Sequence, residues 1–162
     1  MSRAIVAAAV LGGRGIQMIK GKPPRLSFVY FDQPLYFVTL CTLHRRALPA
    51  NERFHESFRN YCIRASNNGI GVGRYVIIPN HVHLFVRGSF DFDLGLWVRG
   101  LKRATSRRRS FWQPGFFDHV LRSDENYGEK WNYVRENPVR ARLAFDAEEW
   151  PYQGEIVWID RA

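Results

Sequence analysis

Residues 72–78 and 81–87 are two runs rich in apolar and β-branched side chains, separated only by Pro79-Asn80. Two such runs across a short break read as an antiparallel pair, which commits the chain to a sheet. The second run opens His81-Val82-His83. Strand side chains alternate between faces, so both imidazoles project on one side and Val82 on the other. Two neighbouring imidazoles on a rigid strand form half of a metal site. In an apolar strand they cost stability unless they have partners. An isolated His-x-His is more often simply hydrogen-bonded or solvated, so its context decides.

The flanking segments extend the pattern. Residues 35–42 have the aromatic and β-branched content of a strand. Phe54, Phe58, Tyr61, Cys62 and Ala65 share one helical stripe, with Asn51 as N-cap and Asn67-Asn68-Gly69 as the stop. Leu94, Trp97, Val98, Leu101 and Ala104 predict a second helix, capped by Asp91 or Asp93. A short strand around 119–121 follows. Ser123 then caps a helix running to about residue 136, with Asp124-Glu125 in its first turn. The order β-α-β-β-α-β plus one helix predicts an α+β, ferredoxin-like (split βαβ) fold. Helices cover one face of its antiparallel sheet, and the other face, with His81 and His83, is left free for a ligand.

A chain of 162 residues with 46% hydrophobic content supports one domain with a real core. Residues 1–25, ending in Lys22-Pro23-Pro24-Arg25, read as an N-terminal extension, and 26–162 as the domain. The apolar stretch 4–11 is far too short to span a bilayer, and no other segment approaches that length. Cys41 and Cys62 make no disulfide framework and read as buried thiols, which suits a cytoplasmic protein. The net charge of +9 argues for a polyanionic partner. Arg99, Lys102, Arg103, Arg107, Arg108 and Arg109 lie in a stretch with no acid between Leu94 and Gly115, and Phe111, Trp112, Phe116 and Phe117 follow. Cations that track phosphates, then aromatics that stack on bases, suit single-stranded nucleic acid. The bland alternatives are a solvated helix face and core aromatics.

In the last predicted helix, Tyr127, Trp131 and Val134 recur at core spacing. At about 100° per residue Tyr133 falls off that face, and Asn137 lies near its azimuth one turn later. Lys130 and Asn126 lie along the same side. Tyr133 is otherwise a half-exposed aromatic, and Asn137, before Pro138, is otherwise the N-cap of a helix over 138–143. A tyrosine hydroxyl, with an ordinary pKa of about 10, is a poor nucleophile near neutrality. A divalent cation held by two imidazoles and an amide oxygen would polarise a phosphodiester for its attack. His119 is a further candidate ligand or acid–base group, ranked below Asn137. Asp118 and Glu136 are candidate carboxylates near the metal, and His44 and His55 read as surface histidines.

The segment Tyr75-Val76-Ile77-Ile78-Pro79-Asn80-His81-Val82-His83-Leu84 resembles the His-hydrophobe-His motif of single-tyrosine HUH transposases. Phe117-Asp118-His119-Val120-Leu121-Arg122-Ser123 and Trp131-Asn132-Tyr133-Val134-Arg135-Glu136-Asn137-Pro138-Val139-Arg140-Ala141 resemble the branch called REP-associated tyrosine transposases. The likeness spans about residues 35–145. It implies a Mg²⁺- or Mn²⁺-dependent nuclease and strand transferase on single-stranded DNA, with imperfect hairpins as substrates. It implies His81, His83 and Asn137 as metal ligands and Tyr133 as the nucleophile that forms a 5′-phosphotyrosine. Lys130 and His119 would be accessory, and the protein a monomer or homodimer. Arg142 departs from the pattern, standing where a small residue, often Gly, is common. Two other readings compete. One is a non-catalytic nucleic-acid-binding module of the same fold, with Tyr75 and Phe85 as stacking platforms. The other is a hydrolase that activates water.

Overall fold

The computed structural model describes residues 34–47, 51–89, 91–106, 111–121 and 124–159, with backbone only at 124–126. The 1–25 extension, Ser123 and the triplet Arg107, Arg108 and Arg109 lie outside the described residues. The elements are β1 (Leu35–Cys41), α1 (Glu52–Ser66), β2 (Gly71–Ile78), β3 (His81–Arg87), α2 (Leu94–Thr105), β4 (Phe117–Val120), α3 (Asp124–Arg135), α4 (Asn137–Arg140) and β5 (Gln153–Glu155). The strands form one antiparallel sheet in the order β4-β1-β3-β2-β5. The first four strands and two helices have the split βαβ arrangement. The three-residue β5, polar and short, is an addition on the β2 edge that no periodicity announced.

Helices α1 and α2 each begin where a side chain can satisfy a free amide. Asn51 accepts from Phe54 N at 3.0 Å, and Asp93 from Leu96 N at 2.8 Å. One core packs Val38, Leu40, Tyr75, Ile77, Val82, Leu84 and Val86 under Phe58 and Cys62 of α1 and Trp97 and Leu101 of α2. The alternate residues Leu35, Val76, Ile78 and Phe85 form a second core with Tyr127 and Val134 of α3, together with Leu121 and Ile159. The second face is therefore not left open as expected. The extra helix covers part of it, because Tyr127 and Val134 are apolar enough to pack on Phe85 and its neighbours. The α2 stripe also ends differently. Ala104 is exposed and Thr105 is buried in its place, accepting from Trp112 Nε1 at 3.1 Å and donating to Leu101 O at 2.8 Å. Among the described residues no helix is long and apolar enough to cross a membrane.

The layer over the first core depends on one small residue. A Cβ at Gly100 would lie 2.2 Å from the Tyr61 hydroxyl, which donates to Trp97 O at 3.0 Å. Gly100→Ala must push α1 from α2 or break that bond. We expect a loss of about 1–3 kcal/mol in urea unfolding, with the denaturant slope unchanged.

Candidate active site

β3 leaves the tight Pro79-Asn80 turn with His81 and His83 on the α3 face. The turn is pinned from β1, since Thr42 donates from both its backbone N (3.0 Å) and its Oγ1 (3.1 Å) to Asn80 O. The imidazole centroids are 4.7 Å apart. His81 Nδ1 lies 2.5 Å from Asn80 Oδ1, and His83 Nδ1 lies 2.9 Å from Oγ1 of Thr39, its cross-strand partner. Phe37 stacks on His83 at 5.3 Å and 16°. Burial, with Arg45 nearby, lowers the His81 pKa to about 4. Burial, then the charges of His81, Arg140 and Lys130, lower that of His83 to about 3. Both rings are thus neutral at pH 7. At His81 the Asn80 Oδ1 accepts a hydrogen bond from Nδ1–H, which leaves Nε2 with a lone pair; Thr39 Oγ1 can accept likewise from His83. A second hydrogen bond that fixes the tautomer and frees the other nitrogen is the usual support of a metal-binding imidazole.

Helix α3 is anchored through Tyr127, buried 4.4 Å from the Phe85 ring centroid, and through Val134. Arg74 of β2 lies over Tyr127 at 5.8 Å and Trp131 at 5.5 Å. That anchoring leaves Tyr133 turned outward, 66% exposed. Lys130 Nζ sits 5.6 Å from the ring centroid of Phe37, the ring that stacks on His83. Asn137 is not an N-cap. Glu136 takes that position, and the Asn137 amide oxygen accepts from Arg140 Nη2. Arg140 also donates to Tyr133 O at 2.6 Å and places its guanidinium 4.4 Å from the Tyr133 ring centroid. Arg140, Thr39, Phe37 and Asn80 are the members of this cluster that sequence reasoning missed. Arg140 had a signal, three residues after Asn137 and seven after Tyr133; Thr39 is visible only through the strand register.

His119 pairs with Phe37 on β4, so it faces the same side, exposed at the sheet edge. Phe117, opposite Thr39, is 62% exposed there. Asp118 pairs with Val38 and so points to the other face. The Glu136 carboxylate lies 3.6 Å from Arg135 Nε. His55 is no surface residue: its Nε2 lies 2.7 Å from the buried Tyr75 hydroxyl. Arg99, Lys102 and Arg103 ride on α2, across the sheet from the histidines. Lys102 Nζ donates to Gln113 O at 2.8 Å and to Gly115 O, so its charge tethers a loop. Tyr75 and Phe85 are 1% and 0% exposed, which removes the stacking platforms of the binding-module reading. Among the described residues no three His, Cys, Asp or Glu side chains group as metal ligands.

No protein-family model matches the chain. A REP-associated tyrosine transposase of Escherichia coli is 25% identical over 128 residues, 76% of this chain and 77% of that protein. A Haemophilus influenzae protein given the same name provisionally is 22% identical over 139 residues, 73% of this chain and 77% of its own length. The chain is thus similar, over about three quarters of its length, to REP-associated tyrosine transposases. A solved structure of a REP-associated tyrosine transposase bound to a REP hairpin superposes with a TM-score of 0.67 at 19% identity, covering 82% of this chain and 92% of that one. This last likeness speaks for the fold. Arg142 has φ +57° where α4 ends, a conformation glycine adopts without strain. The small residue common here in the family that the sequence resembles thus has a backbone reason.

The depressed histidine pKa values have a consequence for stability. Between pH 6.5 and about 3 the unfolded chain binds protons that the folded site refuses. Stability is therefore fully present above pH 6.5 and declines as the pH falls through this window. Urea midpoints should drop across it, and drop less in the double variant His81→Gln/His83→Gln.

Proposed function

We propose that this protein is a tyrosine transposase, a divalent-metal-dependent single-stranded DNA endonuclease and strand transferase acting in the cytoplasm through a covalent 5′-phosphotyrosine at Tyr133. The observation that carries the reading is the convergence of two neutral imidazoles, Lys130, and the Tyr133–Asn137–Arg140 group on one sheet face. His81 and His83 would hold Mg²⁺ or Mn²⁺ through Nε2, with Asn137 as third donor. A cation so held supplies Lewis-acid polarisation of the scissile phosphate.

The chain's own groups do the rest. Tyr133, solvent-accessible, attacks phosphorus through its phenolic oxygen. The Tyr O–P bond forms as the P–O3′ bond breaks, the phenol loses a proton, and the 3′ oxygen gains one. Lys130 and Arg140 offset the phosphate's charge. Because the phosphodiester energy stays in the phosphotyrosine, another 3′ hydroxyl can reverse the step and join strands without ATP. Imperfect hairpins are the proposed substrates, in keeping with the hairpin held by the solved relative. Arg99, Arg103 and the 107–109 arginines would follow the backbone away from the reacting phosphate.

The test uses single-stranded oligonucleotides tiled from the gene's flanks, incubated with protein and Mn²⁺ or Mg²⁺ and run on a denaturing gel. A protein–DNA adduct should form, and should be abolished by chelator and by Tyr133→Phe while DNA binding persists. Cleavage without an adduct would move the reading to water activation. Binding with neither would make the chain a binding module. On the same face, Phe117 offers an exposed ring to a flanking base. Phe117→Ala should weaken single-strand binding roughly five- to a hundredfold in filter binding at fixed salt.

A further inference from the structure

Arg140 occupies the oxygen that the proposed cation needs. Its Nη2 donates to Asn137 Oδ1 and to Tyr133 O, and its guanidinium covers the Tyr133 ring. The ion pairs among the described residues are Arg74–Glu155, Arg135–Glu136 and Arg135–Glu148. Arg140 is in none of them, so carbonyl-type oxygens and an aromatic face meet its charge. A guanidinium in that setting exchanges readily onto a phosphate, whose paired oxygens match its fork of donors. An amide oxygen has two lone pairs, but a guanidinium and a divalent cation sharing it would stand close enough to repel strongly. The two cations therefore compete for Asn137.

We propose that Arg140 is a positioning residue that gates Asn137. Without substrate it holds the amide oxygen. When a DNA phosphate takes its guanidinium, the oxygen is released to the metal and the face of Tyr133 is uncovered. The inference rests on the reading of Asn137 as a ligand. By linkage, phosphate and metal then raise each other's affinity. The gate keeps the third donor withdrawn until there is a phosphodiester to act on.

The experiment measures Mn²⁺ binding to the full-length protein without DNA, from the loss of the free-ion signal in electron paramagnetic resonance. Arg140→Ala should bind Mn²⁺ about tenfold more tightly than the wild type, the worth of freeing an oxygen from a charge-assisted hydrogen bond. Arg140→Met, which keeps an apolar stem against the Tyr133 ring, should do the same and guards against a misfolded alanine variant. Asn137→Ala should weaken binding, and Arg140→Ala added to it should then give no more than the small field effect that Lys130→Gln gives. Lys130→Gln, which removes a nearby charge without touching Asn137, should act equally in both backgrounds. If Arg140→Ala tightens binding equally with and without Asn137, Arg140 acts only through its field and the gate is overturned. No tightening in either Arg140 variant overturns it too. Wild-type affinity in Asn137→Ala would instead remove Asn137 from the metal, and the gate with it.

Discussion

The site depends on the register between β1 and β3. Thr39 faces His83 and Cys41 faces His81, so the imidazoles share a side with Phe37 and Phe85, while Val82 and Leu84 enter the opposite core. Side-chain parity on a strand allows no intermediate. A slip of one residue would drive both imidazoles under α1 and α2 and turn Val82 and Leu84 toward α3. The core beneath the first face thus enforces the geometry of the second. Residues with no chemistry of their own, Val38, Leu40 and Val82, decide where the imidazoles point.

Where the chain carries a strong period, its fold is readable. The 72–87 hairpin, the caps at Asn51 and Asp93, and the stripe through Tyr127 and Val134 are all announced by local composition. β5 is not, because Gln153-Gly154-Glu155 has no apolar residue and owes its place to an available edge on β2. The site is legible in a similar proportion. His81, His83, Lys130, Tyr133 and Asn137 are visible as residue types at spacings that chemistry recognises. Thr39 and Phe37 are not, because what they do arises from pairing across more than forty residues of chain. His55 reads as a surface residue on its helix, yet the buried Tyr75 hydroxyl needs a partner and finds it there. Ala104 and Thr105 show the same limit on a smaller scale: a hydroxyl that bonds Leu101 O within its own helix can be buried where an alanine would be expected.

The electrostatics of the cluster are one-sided. Arg45, Lys130 and Arg140 all bear on the histidines, and the candidate carboxylates Asp118 and Glu136 point away or are paired. Burial together with this positive surround keeps both imidazoles unprotonated, so their lone pairs remain available over a wide pH range. The same surround makes the site attractive to an anion. In the proposed metal site, a donor set without carboxylates would leave the cation's charge to be balanced by an arriving phosphate.

The two halves of this site belong to parts of the fold with different standing. The histidines ride on β3, a strand with partners on both sides and a core against its far face. Among the described residues, Tyr133 rides at the end of a helix held to the sheet through Tyr127, Lys130, Trp131 and Val134, and Asn137 and Arg140 stand on the single turn beyond it. Local opening follows such differences in support. The helix that carries Tyr133 can lift while every ladder hydrogen bond around His81 and His83 stays intact. In the proposed reaction a strand held by Tyr133 would travel with that helix, while the histidine-bearing sheet stays in place.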